Sequence, residues 1–338
     1  MHVFMAGATG VLGRRLVAEL AREGHEVYGL SRSPRGDELV RAAGGEPCRG
    51  DVLDYESLCM AAAGADVIVN AATAAPKTRD PTSEDWARND EVRRQGTQNL
   101  TALASRVGAD QYVHQSIVWV ARREDGGPFS EEDDWNPTPH TQAEADAERL
   151  AIDARMAFGY DVTILRCGWL YAPEATHTQL IAQGLLAGEM PIIGSGLFGR
   201  GDAHLSCLHA EDAARAFTTV IDRRTDGLWH VVDDEAVTTA NYLMEFARLL
   251  GASKPRRVPA WLAKYTTGTD AARFFSHSMQ TTNEPFCEET GWRPHYGSYR
   301  DGLSQVVRDW EQDGTLNERH GSAEWAGEKA ESVLWRTA

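Results

Sequence analysis

Lysine is nearly missing from this chain. Of 34 basic residues in 338, only Lys77, Lys254, Lys264 and Lys329 are lysines. Against them stand 50 acidic residues, for a formal net charge of -16. That balance argues against non-specific nucleic-acid binding. An acidic, lysine-poor surface suits work in concentrated salt, where the Debye length shrinks to ~3 Å and self-repulsion weakens. A high-GC genome that writes arginine for lysine leaves the same bias. Cysteine is scarce as well. Cys48, Cys59, Cys167, Cys207 and Cys287 are odd in number and scattered, which argues against a disulfide framework or a zinc site and for a reducing cytoplasm. No run approaches the ~18 apolar residues of a membrane span. The chain opens directly on a strand pattern, so a cytoplasmic protein with no signal peptide is expected.

What is present begins at the first residues. The apolar run Val3-Phe4-Met5-Ala6 leads into Gly7-Ala8-Thr9-Gly10-Val11-Leu12-Gly13, and an amphipathic segment follows to Arg22. Strand, glycine turn and helix in that order are the setting of a dinucleotide-binding fingerprint. Glycine allows the tight turn and lets backbone approach a pyrophosphate. The helix N-terminus then offers N–H groups and the positive end of its dipole. Gly7, Thr9, Gly10, Val11, Leu12 and Gly13 are therefore candidate cofactor-binding residues.

The first half alternates strands (Val3–Ala6, Glu26–Leu30, Val67–Asn70, Tyr112–Gln115, Val162–Leu165) with helices (Val11–Glu23, Asp37–Ala43, Ser57–Ala63, Glu84–Val107, Thr141–Phe158). This pattern predicts an α/β protein with a doubly wound parallel Rossmann sheet. Leu205–Leu208, helix Glu211–Ile221 and strand Leu228–Val232 read as a return to the sheet. Thr176–Ala187 and the stretch from Thr238 read as a smaller, mostly helical substrate lobe. The expected division is a cofactor domain over 1–170, completed by about 204–235, with 171–203 and 236–338 forming the lobe and a loosely ordered tail after Gly314. The acidic segment Arg122–Pro139 is expected to pass over the mouth of the site.

After the second strand comes Leu30-Ser31-Arg32-Ser33-Pro34-Arg35, without the acid that binds a ribose 2′-hydroxyl in NAD-preferring folds. Ser31, Arg32 and Arg35 suit a 2′-phosphate instead, which favours NADP(H) over NAD(H). Arg32 also reads as an ordinary solvated arginine. Arg14, just past the last glycine, is a further candidate.

The spacing G-x-x-G-x-x-G resembles the extended or atypical branch of the short-chain dehydrogenase/reductases, the NAD-dependent epimerase/dehydratase group. The resemblance runs nearly the whole chain. It is carried by Gly50-Asp51-Val52, Asn70-Ala71-Ala72, Gln95-Gly96-Thr97-Gln98-Asn99-Leu100, Leu165-Arg166-Cys167-Gly168-Trp169-Leu170-Tyr171-Ala172-Pro173, Leu205 to Ala213, and Asn283 to Tyr299. It implies cofactor contacts from Asp51, Val52, Ala71, Ala72 and Gln115, a small-molecule substrate, and a homodimer through the long helices near 84–107 and 141–158.

The family's catalytic set is a Ser, a Tyr and a Lys in Y-x-x-x-K, often with an Asn. Ser116 matches the serine. At the tyrosine position stands His140, at the lysine position Glu144, and at the asparagine position Arg93. Three readings compete. In one, His140 moves the proton, aided by Glu144 one helical turn on, and Ser116 orients the substrate oxygen. In another, the protein binds NADP(H) without turnover, as a subunit or sensor. In the third, groups near the mouth such as Glu132, Asp134 or Tyr171 run a non-redox reaction. The ordinary role for His140 is an exposed helix-start residue, and for Glu144 a solvated helix carboxylate. Trp119, Trp135, Trp169 and Phe198 are candidates for an apolar pocket or simply for core. His204 and His209 lie on opposite faces of a strand and cannot share a metal, so no metal site is expected.

Overall fold

The computed structural model describes the chain except residues 77–80, 196, 199–200, 264–275, 320–321 and 328–338. Six strands and five helices alternate through the first half: β1 (His2–Ala6), α1 (Val11–Arg22), β2 (Glu26–Ser31), α2 (Pro34–Ala42), β3 (Glu46–Arg49), α3 (Tyr55–Ala61), β4 (Val67–Asn70), α4 (Ser83–Val107), β5 (Gln111–Ile117), α5 (Gln142–Phe158) and β6 (Asp161–Cys167). The strands, together with Gly227–Val231, form one seven-stranded sheet in the order β3-β2-β1-β4-β5-β6-(Gly227–Val231). Every pairing is parallel. The order reverses between β1 and β4, which places the ligand crevice at the carboxyl ends of these strands.

Local chemistry fixes these elements. Leu12, Leu16, Val17 and Leu20 recur at helical spacing and are buried, seating α1 on the sheet. Thr82 and Asp85 cap each other to start α4, and Gly108 ends it at φ 71. Both faces of β1 are buried: Val3 and Met5 join one apolar cluster, Phe4 and Ala6 another.

A separate apolar cluster is built on helices Thr176–Leu186, Thr239–Leu249 and Tyr299–Gln312. Tyr171, Tyr242, Phe246, Tyr299 and Trp310 form its aromatic core.

Three sequence expectations need correction. β3 went unread because it is four residues long, carries Pro47 and lies half-buried at the sheet edge. Leu205–Leu208 does not return to the sheet: His204–Leu205 pairs with Val237–Thr238, and Cys207–His209 with Trp169–Tyr171. Ser206 interrupts it, its hydroxyl donating to Thr281 O and accepting from Thr281 N. The tail begins with an antiparallel hairpin, Leu316–Arg319 on Ser322–Trp325, whose Trp325 ring packs on Trp310 at 5.0 Å.

Candidate active site

The glycine turn has no room for side chains. Gly7 sits at φ 87, and a β-carbon there would strike the backbone of Ala71 and Ala72. A β-carbon on Gly13 would fall within the Gly7 carbonyl. Gly10 is the N-cap of α1, exposed and without a side-chain cap. The first-turn amides of α1, around Val11 and Leu12, are thus open to an anion rather than to a protein carboxylate. Thr9 is half-buried in the same turn. A dinucleotide pyrophosphate fits this cradle.

On the β2 side, Ser31 is buried and donates to Ser33 O at 3.0 Å. Ser33 caps α2 by accepting from Gly36 N. Arg32 and Arg35 are exposed, and Arg32 Nη1 lies 3.8 Å from Asp51 Oδ2. Asp51 also accepts from Leu53 N, and Val52 O accepts from Asn99 Nδ2. Arg14 Nε donates to Gly10 O in the turn at 3.4 Å, while its Nη2 donates to Glu174 at 3.3 Å.

Ala71 and Ala72 lie beside Gly7 because Asn70 pins them. Its Oδ1 accepts from Ala72 N, and its Nδ2 donates to Thr97 and to the Tyr112 hydroxyl. Asn89 accepts from Thr73 Oγ1 and Ala74 N, holding the next stretch of the loop.

The catalytic positions lie in very different surroundings. Arg93 and Glu144 are both buried, with Arg93 Nε 3.2 Å from Glu144 Oε1. Arg93 Nη1 also donates to Gln115 O at the end of β5. Glu144 is therefore not a solvated helix carboxylate. Two positions that each depart from the family pattern form one ion pair, 51 residues apart in sequence.

Ser116 is fully buried, and its hydroxyl donates to Glu148 Oε1 at 2.5 Å. Glu148 lies one turn beyond Glu144 on α5. Its other oxygen accepts from Trp135 Nε1 at 2.5 Å and from Arg166 Nη2 at 2.7 Å. Arg166 Nη1 reaches His230 Nε2 at 3.4 Å, and His230 Nδ1 meets Thr281 Oγ1 at 2.7 Å. Thr281 donates to Phe129 O, so His230 must be the neutral Nδ1–H tautomer. Burial, helped by the Arg166 charge, holds this imidazole down to about 3. Trp135 and Phe129 show that the segment after β5 packs into this network. Glu148, Arg166 and His230 are not marked as a unit in the sequence, where Arg166 stands out only as part of the segment Leu165 to Pro173.

His140 stands apart from this network, half-buried in a short 3-10 turn, Pro139–Thr141, with its ring 5.3 Å from Trp86 of α4. Tyr171 is not at the mouth. It is fully buried against Gly302, and burial raises its hydroxyl well above the usual tyrosine range. Glu132 and Asp134 are exposed. Trp119 and Trp169 pack at 5.9 Å, and His177 meets Trp169 edge-on at 4.9 Å. These two tryptophans follow the ends of the adjacent strands β5 and β6. Trp135 instead lies under Arg149, and Phe198 is exposed. His209 caps the helix Ala210–Arg223 and bonds Gln305.

Residues 3–231 match the model of the NAD dependent epimerase/dehydratase family. The chain belongs to that family. A 3-diazoavenalumate denitrifying reductase from a Streptomyces species is 34% identical over 327 residues, 90% of this chain and 100% of the relative. A quinoline-1-oxide ketoreductase from Stigmatella aurantiaca is 29% identical over 182 residues, 52% of each chain. Among solved structures, a dTDP-glucose 4,6-dehydratase from Streptomyces venezuelae with NAD bound superposes with a TM-score of 0.75 at 22% identity, covering 93% of this chain and 98% of the other. A Thermus thermophilus UDP-glucose 4-epimerase with NAD superposes at 0.74 and 22% identity, covering 91% and 98%. The extended short-chain dehydrogenase/reductase fold is thereby shown, together with an NAD(P)-linked, oxidoreductase-like role. Among the described residues no helix is long and apolar enough to cross a membrane.

Proposed function

We propose that the chain is an NADP(H)-dependent reductase that delivers hydride to a small planar aromatic electrophile. The observation that carries this reading is an intact dinucleotide cradle beside a site where the Arg93–Glu144 ion pair stands at two of the family's catalytic positions. Bound NADPH supplies a hydride equivalent. Gly7, Thr9, Gly10, Val11, Leu12 and Gly13 would hold the pyrophosphate. Ala71 and Ala72 would border the adenosine ribose, and Gln115 would lie further along the cofactor at β5. Asp51 and Val52 would border the adenine, and Ser31, Arg32 and Arg35 the 2′-phosphate. Trp119 and Trp169, rising from the ends of β5 and β6, would form an aromatic wall for the substrate.

The reductase relative acts on a diazo compound, and that chemistry suits this site. Hydride addition to the outer nitrogen of an aryl diazonium gives an aryl diazene. Loss of dinitrogen then leaves the N–H hydrogen on the ring carbon, so no net proton is drawn from the protein. Reduction of a carbonyl differs: the alkoxide needs a proton, and His140 would supply it. Ser116 has its hydrogen committed to Glu148, so it would meet a substrate through its lone pairs.

The test is oxidation of NADPH and NADH in parallel, in molar KCl as the acidic surface suggests. Electrophiles would be aryl diazonium and diazoquinone compounds, quinones, aldehydes and keto-sugars. We expect NADPH-dependent loss of dinitrogen that persists in His140→Ala, while any carbonyl reduction disappears in that variant. The second reading, a cytoplasmic NADP(H)-binding subunit without turnover, is favoured by the burial of Ser116. Tight NADPH binding with no turnover across the panel would establish it. A homodimer through α4 and α5 is part of the proposal, supported by exposed Met156 and Phe158 on α5; size-exclusion chromatography reads it.

A further inference from the structure

Glu144 has one oxygen facing Arg93, while the other, Oε2, is buried with no hydrogen-bond partner among the described residues. A buried carboxylate oxygen left without a donor is costly, and Arg93 Nε, though 3.2 Å from Glu144 Oε1, is likewise without an aligned hydrogen bond among the described residues. Their place in the fold says where a donor for Glu144 Oε2 comes from. Arg93 reaches from α4 to the carbonyl of Gln115 at the end of β5, and Glu144 stands on the first turn of α5 beside it. With the pyrophosphate on α1 and the adenosine over β2 and β3, the other half of a dinucleotide crosses the switch point toward β4 and β5.

We propose that Arg93 and Glu144 together form the nicotinamide end of the cofactor site. Glu144 Oε2 accepts a hydrogen bond from a ribose hydroxyl. The pair brings no net charge beside the ring, so the oxidised pyridinium is not repelled as it would be by a lone cation. The assignment rests on the cofactor reading above and adds to it a positioning role and a bias between the two redox forms.

The test is direct binding of NADP+ and of NADPH, measured separately by calorimetry and by quenching of tryptophan fluorescence. Wild type would be compared with Glu144→Gln, Arg93→Gln and the double variant, each checked for folding by circular dichroism. Glu144→Gln leaves an uncompensated cation, so the affinity for NADP+ relative to NADPH falls about tenfold. Arg93→Gln leaves an uncompensated anion, and the same ratio rises about tenfold. The double variant, which buries no lone charge and should fold even where a single variant does not, returns the ratio to that of wild type. Opposite shifts from opposite charge changes are what a purely structural pair would not give. Ratios that stay fixed, or that move in one direction in both single variants, overturn this inference and leave the cofactor reading standing. Wild type that binds neither form overturns both.

Discussion

Replacing Glu148 with alanine would strand a charge in the interior. The Arg166 and Glu148 side chains are 2% and 0% exposed. Arg166 gives Glu148 hydrogen bonds at 2.9 Å from Nε and 2.7 Å from Nη2. Its other described partner is the His230 ring at 3.4 Å, a weak acceptor for a whole guanidinium. Breaking a buried pair by removing one member costs about 3–5 kcal/mol, because the remaining charge keeps its desolvation penalty. The lost acceptor for Ser116 and Trp135 adds about 1–3 kcal/mol each in isolation, though the terms are not additive. Glu148→Ala should therefore lower unfolding free energy by at least about 3 kcal/mol. Removing both charges, as Glu148→Leu with Arg166→Met, should cost much less, since neither member is left alone. Urea denaturation followed by tryptophan fluorescence, with equal slopes required across variants, reads both values. A loss below about 1 kcal/mol in the single variant, or an equal loss in the double, would refute the reasoning.

Three further outcomes are expected. Gly10→Val places a β-carbon 3.3 Å from Gly7 O, which the fold tolerates better than the hard clash at Gly13. It should keep near-native circular dichroism while losing NADPH affinity by about a hundredfold or more through blocked phosphate approach; retained binding would contradict the cradle. Arg32→Ala should weaken NADPH by about tenfold and leave NADH nearly unchanged, and equal loss for both would remove Arg32 from the 2′-phosphate. Burial holds His114 and His230 to about 3, and His209 to about 4. These rings stay neutral in the fold, while the unfolded chain protonates near pH 6.5. Stability should thus be full above that pH and fall as the pH drops toward 4, by up to about 1.4 kcal/mol per pH unit for each ring. Urea midpoints at pH 7 and pH 5 would show the fall, and His209→Gln should make it shallower; an unchanged slope in that variant would contradict its assignment.

Much of the fold was legible because it rests on local patterns. The glycine turn, the first five helices to within three residues at each end, and the strands on either side of the switch point follow from periodicity and breakers. β3 was hidden because an edge strand with one proline and half-exposed side chains has no strong alternation. The glycine turn was legible for the same reason as the fold, since glycines that cannot carry a side chain are visible in sequence. The other end was not. Glu144 looks like any acid on a helix, and Arg93 like any base on another, until α4 and α5 pack side by side and bury them together. Tyr171 failed as a mouth residue because its burial depends on Gly302, 131 positions later. The Glu148–Arg166–His230 network likewise draws on three distant elements, and nothing in local sequence marks it as one unit.

The most direct test of the central claim follows the hydride. NADPH carrying deuterium at the transferable C4 position would be incubated with the protein and an aryl diazonium acceptor in molar KCl, and the product analysed by mass spectrometry and NMR. A reductase gives stoichiometric NADP+, released dinitrogen and deuterium leaving the cofactor. Cofactor that stays reduced and fully labelled while the acceptor is unchanged would contradict a reductase. Substrate converted with no net change in the cofactor would contradict it as well, and would point to internal redox of the epimerase kind.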